Sequence, residues 1–190
     1  MDKNYQINFV KEAISDTQLT IRALDVKVGV LLVALLSPLS NTHRIFAHLE
    51  HLCSNLHKPF MLLVAILFLL LWILALVSLM RAIAPLDNPS IHIVNSSQFK
   101  GAYYGGGLFN LTLIDAFKNR EITKASKDVT TFASSLPKTL LELENELVFE
   151  QMKLIYIREV KLHRLRYGLR FSEIWFVMGI AIYLFSKYGV

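Results

Sequence analysis

The stretch Phe60–Met80, FMLLVAILFLLLWILALVSLM, is a continuous apolar run. It holds 21 residues without a charge between Lys58 and Arg81, and Ser78 is its only polar side chain apart from the ring nitrogen of Trp72. At about 1.5 Å per residue, a helix of this length crosses a hydrocarbon layer of about 30 Å. A core helix of a soluble protein is rarely apolar on every face for so long. The sequence therefore predicts a transmembrane helix over residues 60–80.

Two shorter apolar segments flank this helix. They are Val28–Leu39 (VGVLLVALLSPL) and Ile174–Phe185 (IWFVMGIAIYLF), and each continues a charged amphipathic helix. Ionisable groups at such depth are tolerated where they face a bundle interior or water, or where long side chains reach the interface. We interpret the segments as further spans over 28–39 and 171–186, nearer the centre of an assembly than the first span. The alternative is a single span with two helices lying at the interface.

Composition supports a membrane protein. Of 190 residues, 54% are hydrophobic and 18% are charged, against about 25% charged in soluble domains. The abundance of large apolar residues excludes a disordered chain. The single cysteine, Cys53, excludes an intramolecular disulfide and a Cys-based zinc or redox centre. The first 27 residues mix acids and bases, so no cleavable signal peptide is expected.

The distribution of Lys and Arg predicts the orientation. Residues 81–170 carry thirteen of them and the N-terminal 27 residues carry four, whereas residues 40–59 carry only Arg44 and Lys58. Since positive charge accumulates on the cytoplasmic side, we expect a cytoplasmic arm (1–27), an outer connection (40–59) and a cytoplasmic region (81–170). The expected fold is an all-α, oligomeric membrane protein. Its three transmembrane helices include long helices that extend into a cytoplasmic bundle.

The arm carries a heptad seam, in which Thr17 is the only polar member. The seam residues are Ile7, Val10, Ile14, Thr17, Ile21, Leu24, Val28 and Leu31. This pattern packs one helix face against other helices, and we expect the protein to self-associate through it. A second long helix is expected to start near Ser135 and Pro137 and to continue through Arg170 into the last span. Two such helices suit either a stalk that transmits a cytoplasmic event or a rigid bundle.

The middle of the chain is richer in turn formers. We expect a short strand over Ile91–Val94, a helix near Leu108–Lys118 and another near Lys127–Ser134. The glycine-rich segment 101–107 lacks the Gly-Lys-Ser/Thr ending of a P-loop and the spacing of a dinucleotide fingerprint. A flexible turn is the favoured interpretation of that segment.

Catalytic and metal-binding patterns are weak. Four histidines lie with Cys53 in the outer connection, at His43, His48, His51 and His57, where an interfacial role is favoured over zinc binding. The carboxylates Glu142, Glu144, Glu146 and Glu150 suit the start of a helix. Hydrolase, metalloprotease and kinase signatures are missing. We therefore expect no enzyme activity, no cofactor and no metal site.

Basic residues are the most informative polar feature. One cluster contains Lys118, Arg120, Lys124 and Lys127. A second, here named the basic collar, contains Lys153, Arg158, Lys161, Arg164, Arg166 and Arg170. A collar next to the membrane usually binds lipid headgroups. Repeated as rings in an oligomer, it suits a phosphate-bearing ligand or anion selection instead. Tyr103, Tyr104 and Phe109 suit base stacking, although core packing is favoured.

Two stretches resemble a known family. Leu19–Leu32 (LTIRALDVKVGVLL), with the cluster Asp25, Lys27 and Gly29, resembles the opening helix of transmembrane effectors of bacterial anti-phage Pycsar systems. Gln151–Leu169 (QMKLIYIREVKLHRLRYGL) is similar to the closing helix of that family, and a similar architecture is expected of the Hailong effector.

The resemblance implies a function in the bacterial inner membrane. A nucleotide or short DNA oligomer, made by a partner nucleotidyltransferase or cyclase, would control pore opening or membrane disruption. On that basis Lys153, Arg158, Lys161, Arg164 and Arg166 are the candidate ligand-binding residues, and Asp25, Lys27 and Gly29 are the candidate gate or ion-pair element. Asp25 and Lys27 are two apart and point to different helix faces, so each is expected to meet a neighbouring helix. The alternative is a non-channel membrane scaffold or adaptor whose collar binds lipid headgroups.

Overall fold

The computed structural model describes residues 3–41, 58–86, 88–99, 101, 108 and 125–188. Within these ranges the chain is helical and has no strand. The helices are α1 (Lys3–Leu36), α2 (Lys58–Ile83), α3 (Val129–Ser135) and α4 (Leu140–Tyr188). Short 3-10 helices cover Ser37–Asn41, Pro89–His92 and Ser96–Gln98. The expected all-α fold is therefore confirmed for the described residues.

The chain divides into two compact units. Unit 1 comprises Met1–Gln18 and Asp87–Tyr156, and unit 2 comprises Leu19–Leu86 and Ile157–Val190. The long helices α1 and α4 each contribute to both units, as the predicted continuation of each amphipathic helix into an apolar segment requires.

The ends of the helices follow from local chemistry. Helix α4 begins at Leu140 rather than at Ser135, because Thr139 Oγ1 accepts a hydrogen bond from Glu142 N at 3.2 Å. The Glu142 carboxylate in turn accepts one from Lys138 N at 2.8 Å. Helix α1 ends at Leu36, just before the Ser37–Asn41 turn that contains Pro38, as expected.

Helix α3 confirms the helix expected near Lys127–Ser134. Its N-cap is Asp128, whose carboxylate accepts hydrogen bonds from Thr130 Oγ1 at 2.6 Å and from Thr131 N at 2.9 Å. These bonds favour the ionised form and lower the pKa of Asp128 to about 2.

The strand expected at Ile91–Val94 is wrong. Pro89 starts a 3-10 helix there, and the segment lies between two left-handed residues, Asn88 (φ 41°) and Asn95 (φ 60°). A left-handed residue at each end turns the chain and prevents an extended run. The helix expected near Leu108–Lys118 and most of the glycine-rich segment lie outside the described residues.

Unit 1 has a small apolar core. Ile7, Val10 and Ile14 of α1 pack with the fully buried Leu147 of α4. Thr17, on the same face of α1, is buried and donates its hydroxyl to the Ala13 carbonyl at 2.7 Å, so its polar group is satisfied.

Unit 2 packs three helices around a second core. Its buried cluster contains Leu24, Val28 and Leu35 of α1, Ala75, Leu79 and Ala82 of α2, and Leu165 of α4. Gly168 allows close packing of α4 on α2, since a Cβ there would lie 2.6 Å from Leu79 Cδ2. The contacts of Gly168 with Leu79 and of Gly179 with Phe68 run in opposite chain directions, so α4 is antiparallel to α2.

The heptad seam of α1 is buried inside the chain. Six of its members, Ile7, Val10, Ile14, Thr17, Leu24 and Val28, are at most 8% exposed. The chain's own helices cover that face, which argues against the expected self-association through the seam.

Two described helices contain segments long and apolar enough to cross a membrane, by length and composition. These segments lie in α2 (Leu62–Ile83) and in α4 (Leu140–Phe185). The apolar end of α1 is not among them, since only nine helical residues follow Lys27 before the helix ends at Leu36. The interpretation of residues 28–39 as a complete span stays a prediction.

Candidate functional site

Asp25 forms an ion pair with Lys161 within unit 2. The Lys161 ammonium on α4 donates to Asp25 Oδ1 on α1. The lysine side chain is 8% exposed and the aspartate side chain 38%, so the pair opens to the surface on the aspartate side. The expectation that Asp25 meets a neighbouring helix as an ion pair is confirmed. The burial and pairing of its ammonium argue against Lys161 as a ligand-binding residue.

The other residues of the candidate gate cluster lie differently. Lys27 is exposed and has no ion-pair partner among the described residues, so it does not meet a neighbouring helix as expected. Gly29 is half-buried, and a Cβ added there would meet no atom within 4 Å. Close helix packing therefore does not explain the glycine.

Arg164 closes the end of a neighbouring helix. Its Nη1 donates to the Arg81 carbonyl at 2.6 Å, in the last turn of α2. The last four carbonyls of a helix lack partners within it, and a cation there also suits the helix dipole. This hydrogen bond uses part of the guanidinium for packing of α4 on α2, which weakens the assignment of Arg164 as a ligand-binding residue.

Lys153 belongs to unit 1 and is engaged there. Its ammonium pairs with Glu150 Oε1 at 2.5 Å and lies 4.7 Å from the centre of the Phe149 ring. Glu150 is 1% exposed, and burial raises its pKa while the lysine partly opposes the rise. Phe149 also stacks on Phe99, with 5.0 Å between the ring centres. Lys153 therefore compensates a buried carboxylate rather than pointing to an open site.

Two of the five ligand candidates remain accessible. Arg158 is partly exposed and donates from Nε and Nη2 to Glu159 Oε1 at 3.1 and 2.7 Å, a pair that solvent screens. Arg166 is exposed. Both belong to unit 2, so the surface available to a phosphate in the described part of the collar reduces to these two and to Arg170.

Helix α4 also exposes two aromatic rings and an arginine that lie in contact along one side. His163 and Tyr167 lie edge to face at 4.8 Å, and the Arg170 guanidinium lies 5.8 Å from the centre of the Tyr167 ring. Beyond them the same helix exposes Ile174, Phe176 and Val177. A polar-tipped aromatic next to an apolar surface is typical of a membrane–water interface.

Trp72 and Trp175 occupy the middle of the apolar part of unit 2. Trp72 Nε1 donates to the Leu35 carbonyl at 2.9 Å and so caps the end of α1 from a neighbouring helix. Trp175 stacks on Phe68 at 5.2 Å, and its indole nitrogen is buried without a hydrogen-bond partner among the described residues. The sequence shows the ring nitrogen of Trp72 in a run whose only other side-chain donor is Ser78, but it does not indicate which carbonyl accepts its hydrogen bond.

Several candidates lie outside the described residues. They are Lys118, Arg120, Lys124, Tyr103, Tyr104, Phe109, Cys53 and the four histidines of the outer connection. Lys127 is described and exposed. In the described part of the chain, no three His, Cys, Asp or Glu side chains gather as a metal site would require.

Comparisons with protein-family models, with curated proteins and with solved structures give no match for this chain.

Proposed function

We propose that the protein is an integral membrane effector whose unit 2 lies in the bilayer and whose permeability is controlled by a phosphate-bearing ligand. The observation that carries the membrane location is the outward surface of α2. Its large apolar residues Leu62, Ile66, Leu70, Ile73 and Met80 are each more than half exposed. Soluble monomers rarely expose contiguous apolar patches of more than a few hundred Å². Hydrocarbon is the medium that suits such an outward apolar surface of a helix.

The ligand and the defence role rest on the resemblance. In the proposal, a nucleotide or short DNA oligomer made by a partner nucleotidyltransferase or cyclase binds the collar of an oligomer in the bacterial inner membrane. Arg158 and Arg166 are the side chains that the geometry leaves open to it. Self-association stays part of the proposal, through a surface other than the heptad seam of α1.

Ligand binding is tested by reversing the accessible charges. Arg158→Glu with Arg166→Glu should weaken binding of cyclic mononucleotides and a short single-stranded DNA oligomer in detergent. The salt slope should fall by about one for each phosphate that the variant no longer neutralises. The matched control is Lys11→Glu with Lys138→Glu, which reverses two exposed charges outside the collar. An unchanged affinity and salt slope in a correctly assembled collar variant would remove the collar as the ligand site.

The orientation is tested by chemical labelling. In a Cys53→Ser background, Ser134→Cys places a thiol at an exposed position of α3. A membrane-impermeant maleimide should not label it in intact cells and should label it after lysis. Labelling in intact cells would contradict a cytoplasmic location of residues 81–170.

A second function is favoured by a specific observation. Lys153, Lys161 and Arg164 are used inside the fold, and the exposed Tyr167 and Arg170 lie next to apolar surface. These features are sufficient for a scaffold whose collar binds anionic lipid headgroups. Dye release from vesicles of phosphatidylethanolamine and phosphatidylglycerol separates the two functions. Release that depends on added nucleotide supports the effector, and retained dye under all conditions supports the scaffold.

A further inference from the structure

Helix α1 ends halfway along α2. The hydrogen bond from Trp72 to the Leu35 carbonyl places the end of α1 beside Trp72 of α2, because Leu35 is the residue before the last one of α1. Trp72 follows Phe60 by twelve residues and precedes Met80 by eight, which corresponds to about 18 Å and about 12 Å along α2. If α2 crosses the bilayer, the end of α1 lies close to the middle of the hydrocarbon layer.

Helix α4 continues where α1 stops. Gly168 lies against Leu79, and Gly179 lies against Phe68, eleven residues further along each helix. Helix α4 then runs on to Tyr188. In the described part of unit 2, the half of α2 between Phe60 and Trp72 is therefore accompanied by α4 and not by helical residues of α1.

The chain is polar where α1 stops. A 3-10 turn follows over Ser37–Asn41. In it the exposed Ser37 donates its hydroxyl to the Ala34 carbonyl at 2.8 Å. Ser40, also exposed, donates to the Ser37 carbonyl at 2.7 Å. Lipid tails provide no hydrogen bonds, so non-helical backbone at membrane depth occurs where protein covers it or where it lines a water-filled cavity.

We infer that this turn lines an aqueous vestibule that enters the bilayer from the side of Phe60 and reaches the level of Trp72. The exposure of Ser37 and Leu39 favours water over a cover by the described part of the chain. The turn carries the hydroxyl groups of Ser37 and Ser40 and no charge, so the occupants of the vestibule are water and small hydrated solutes. The inference rests on the proposed membrane location of unit 2. The vestibule forms the outer half of a permeation path.

Thiol accessibility tests the vestibule without any ligand. In a Cys53→Ser background, Ser37→Cys, Leu39→Cys and Ser40→Cys are reconstituted in vesicles of phosphatidylethanolamine and phosphatidylglycerol. A charged, membrane-impermeant methanethiosulfonate reagent is then added. Leu39→Cys removes no hydrogen bond and serves if a serine variant fails to fold. The matched controls are Ile73→Cys and Val177→Cys, whose native side chains are 51% and 65% exposed near the depth of Trp72.

The turn positions should react at least about tenfold faster than the controls, because the thiolate is the reactive species and hydrocarbon suppresses its formation. Turn positions as unreactive as the controls would overturn the vestibule and leave the membrane location intact. Controls as reactive as the turn positions would instead overturn the membrane location, since Ile73 and Val177 would then face water.

Discussion

Helix α1 has the same buried face in both units and a different outer face in each. In unit 1 its exposed positions include Lys11, Glu12 and Asp16. In unit 2 they include Val26, Val30 and Val33, which are 67%, 65% and 71% exposed. The buried seam therefore indicates that a helix packs, while the outer face indicates the medium around it. In unit 1 the outer face is mixed, with charged residues beside Tyr5 and Phe9, whereas after Lys27 the outer face of α1 in unit 2 is apolar and suits lipid.

The sharpest test of this contrast is the ion pair inside unit 2. Asp25→Asn removes the partner of a buried ammonium and should cost on the order of 2 kcal/mol. That is less than a fully buried pair would cost, because Asp25 is 38% exposed. Lys161→Met leaves only the better solvated carboxylate and should cost less. The free energy of unfolding in detergent is the measurement.

The double variant Asp25→Asn with Lys161→Met serves as the control. It should recover part of the loss, because neither charge is then left without a partner. Additive losses in the double variant would mean that the two side chains do not interact.

Helix packing in unit 2 gives a smaller effect. Gly168→Ala places a methyl group against the fully buried Leu79, and overpacking typically costs about 1–3 kcal/mol. Replacing glycine by alanine inside a helix offsets about 0.5–1 kcal/mol, so a net loss of about 1 kcal/mol is expected. Gly179→Ala is the matched control, since its Cβ would lie 3.4 Å from Phe68, and it should be neutral or stabilising. Equal midpoints of thermal unfolding for the two variants would contradict the close packing.

The smallest effect on stability is expected in unit 1, and it depends on pH. Burial raises the pKa of Glu150 above the value of 4.5 expected in the unfolded chain. The folded protein then binds more protons, so stability falls as pH rises from about 4.5 through the raised pKa and then levels off. Glu150→Gln should remove this part of the slope, and the control Glu12→Gln, at an exposed position, should retain it. Parallel curves for wild type and Glu150→Gln would show that the group does not titrate as expected.

Sequence patterns predicted the helices better than the site. Periodicity placed α1 and α4 because a repeating apolar face has few other solutions. The pairing of Asp25 was anticipated, yet its partner is 136 positions away, and spacing along one helix gives no information about such a pair. Lys153, Lys161 and Arg164 looked equivalent to Arg166 in the sequence, and only packing separates cations used inside the fold from cations at the surface.

The capping tryptophan has an optical consequence. Trp72 and Trp175 are the only two tryptophans of the chain, and both belong to unit 2. Indole emission from the unmodified protein therefore arises in unit 2 alone, and unit 1 contributes none. Lipids brominated at chosen positions of their acyl chains would quench the two rings according to depth. Trp72→Phe would leave Trp175 as the single emitter, so the protein would report the depth of its own insertion.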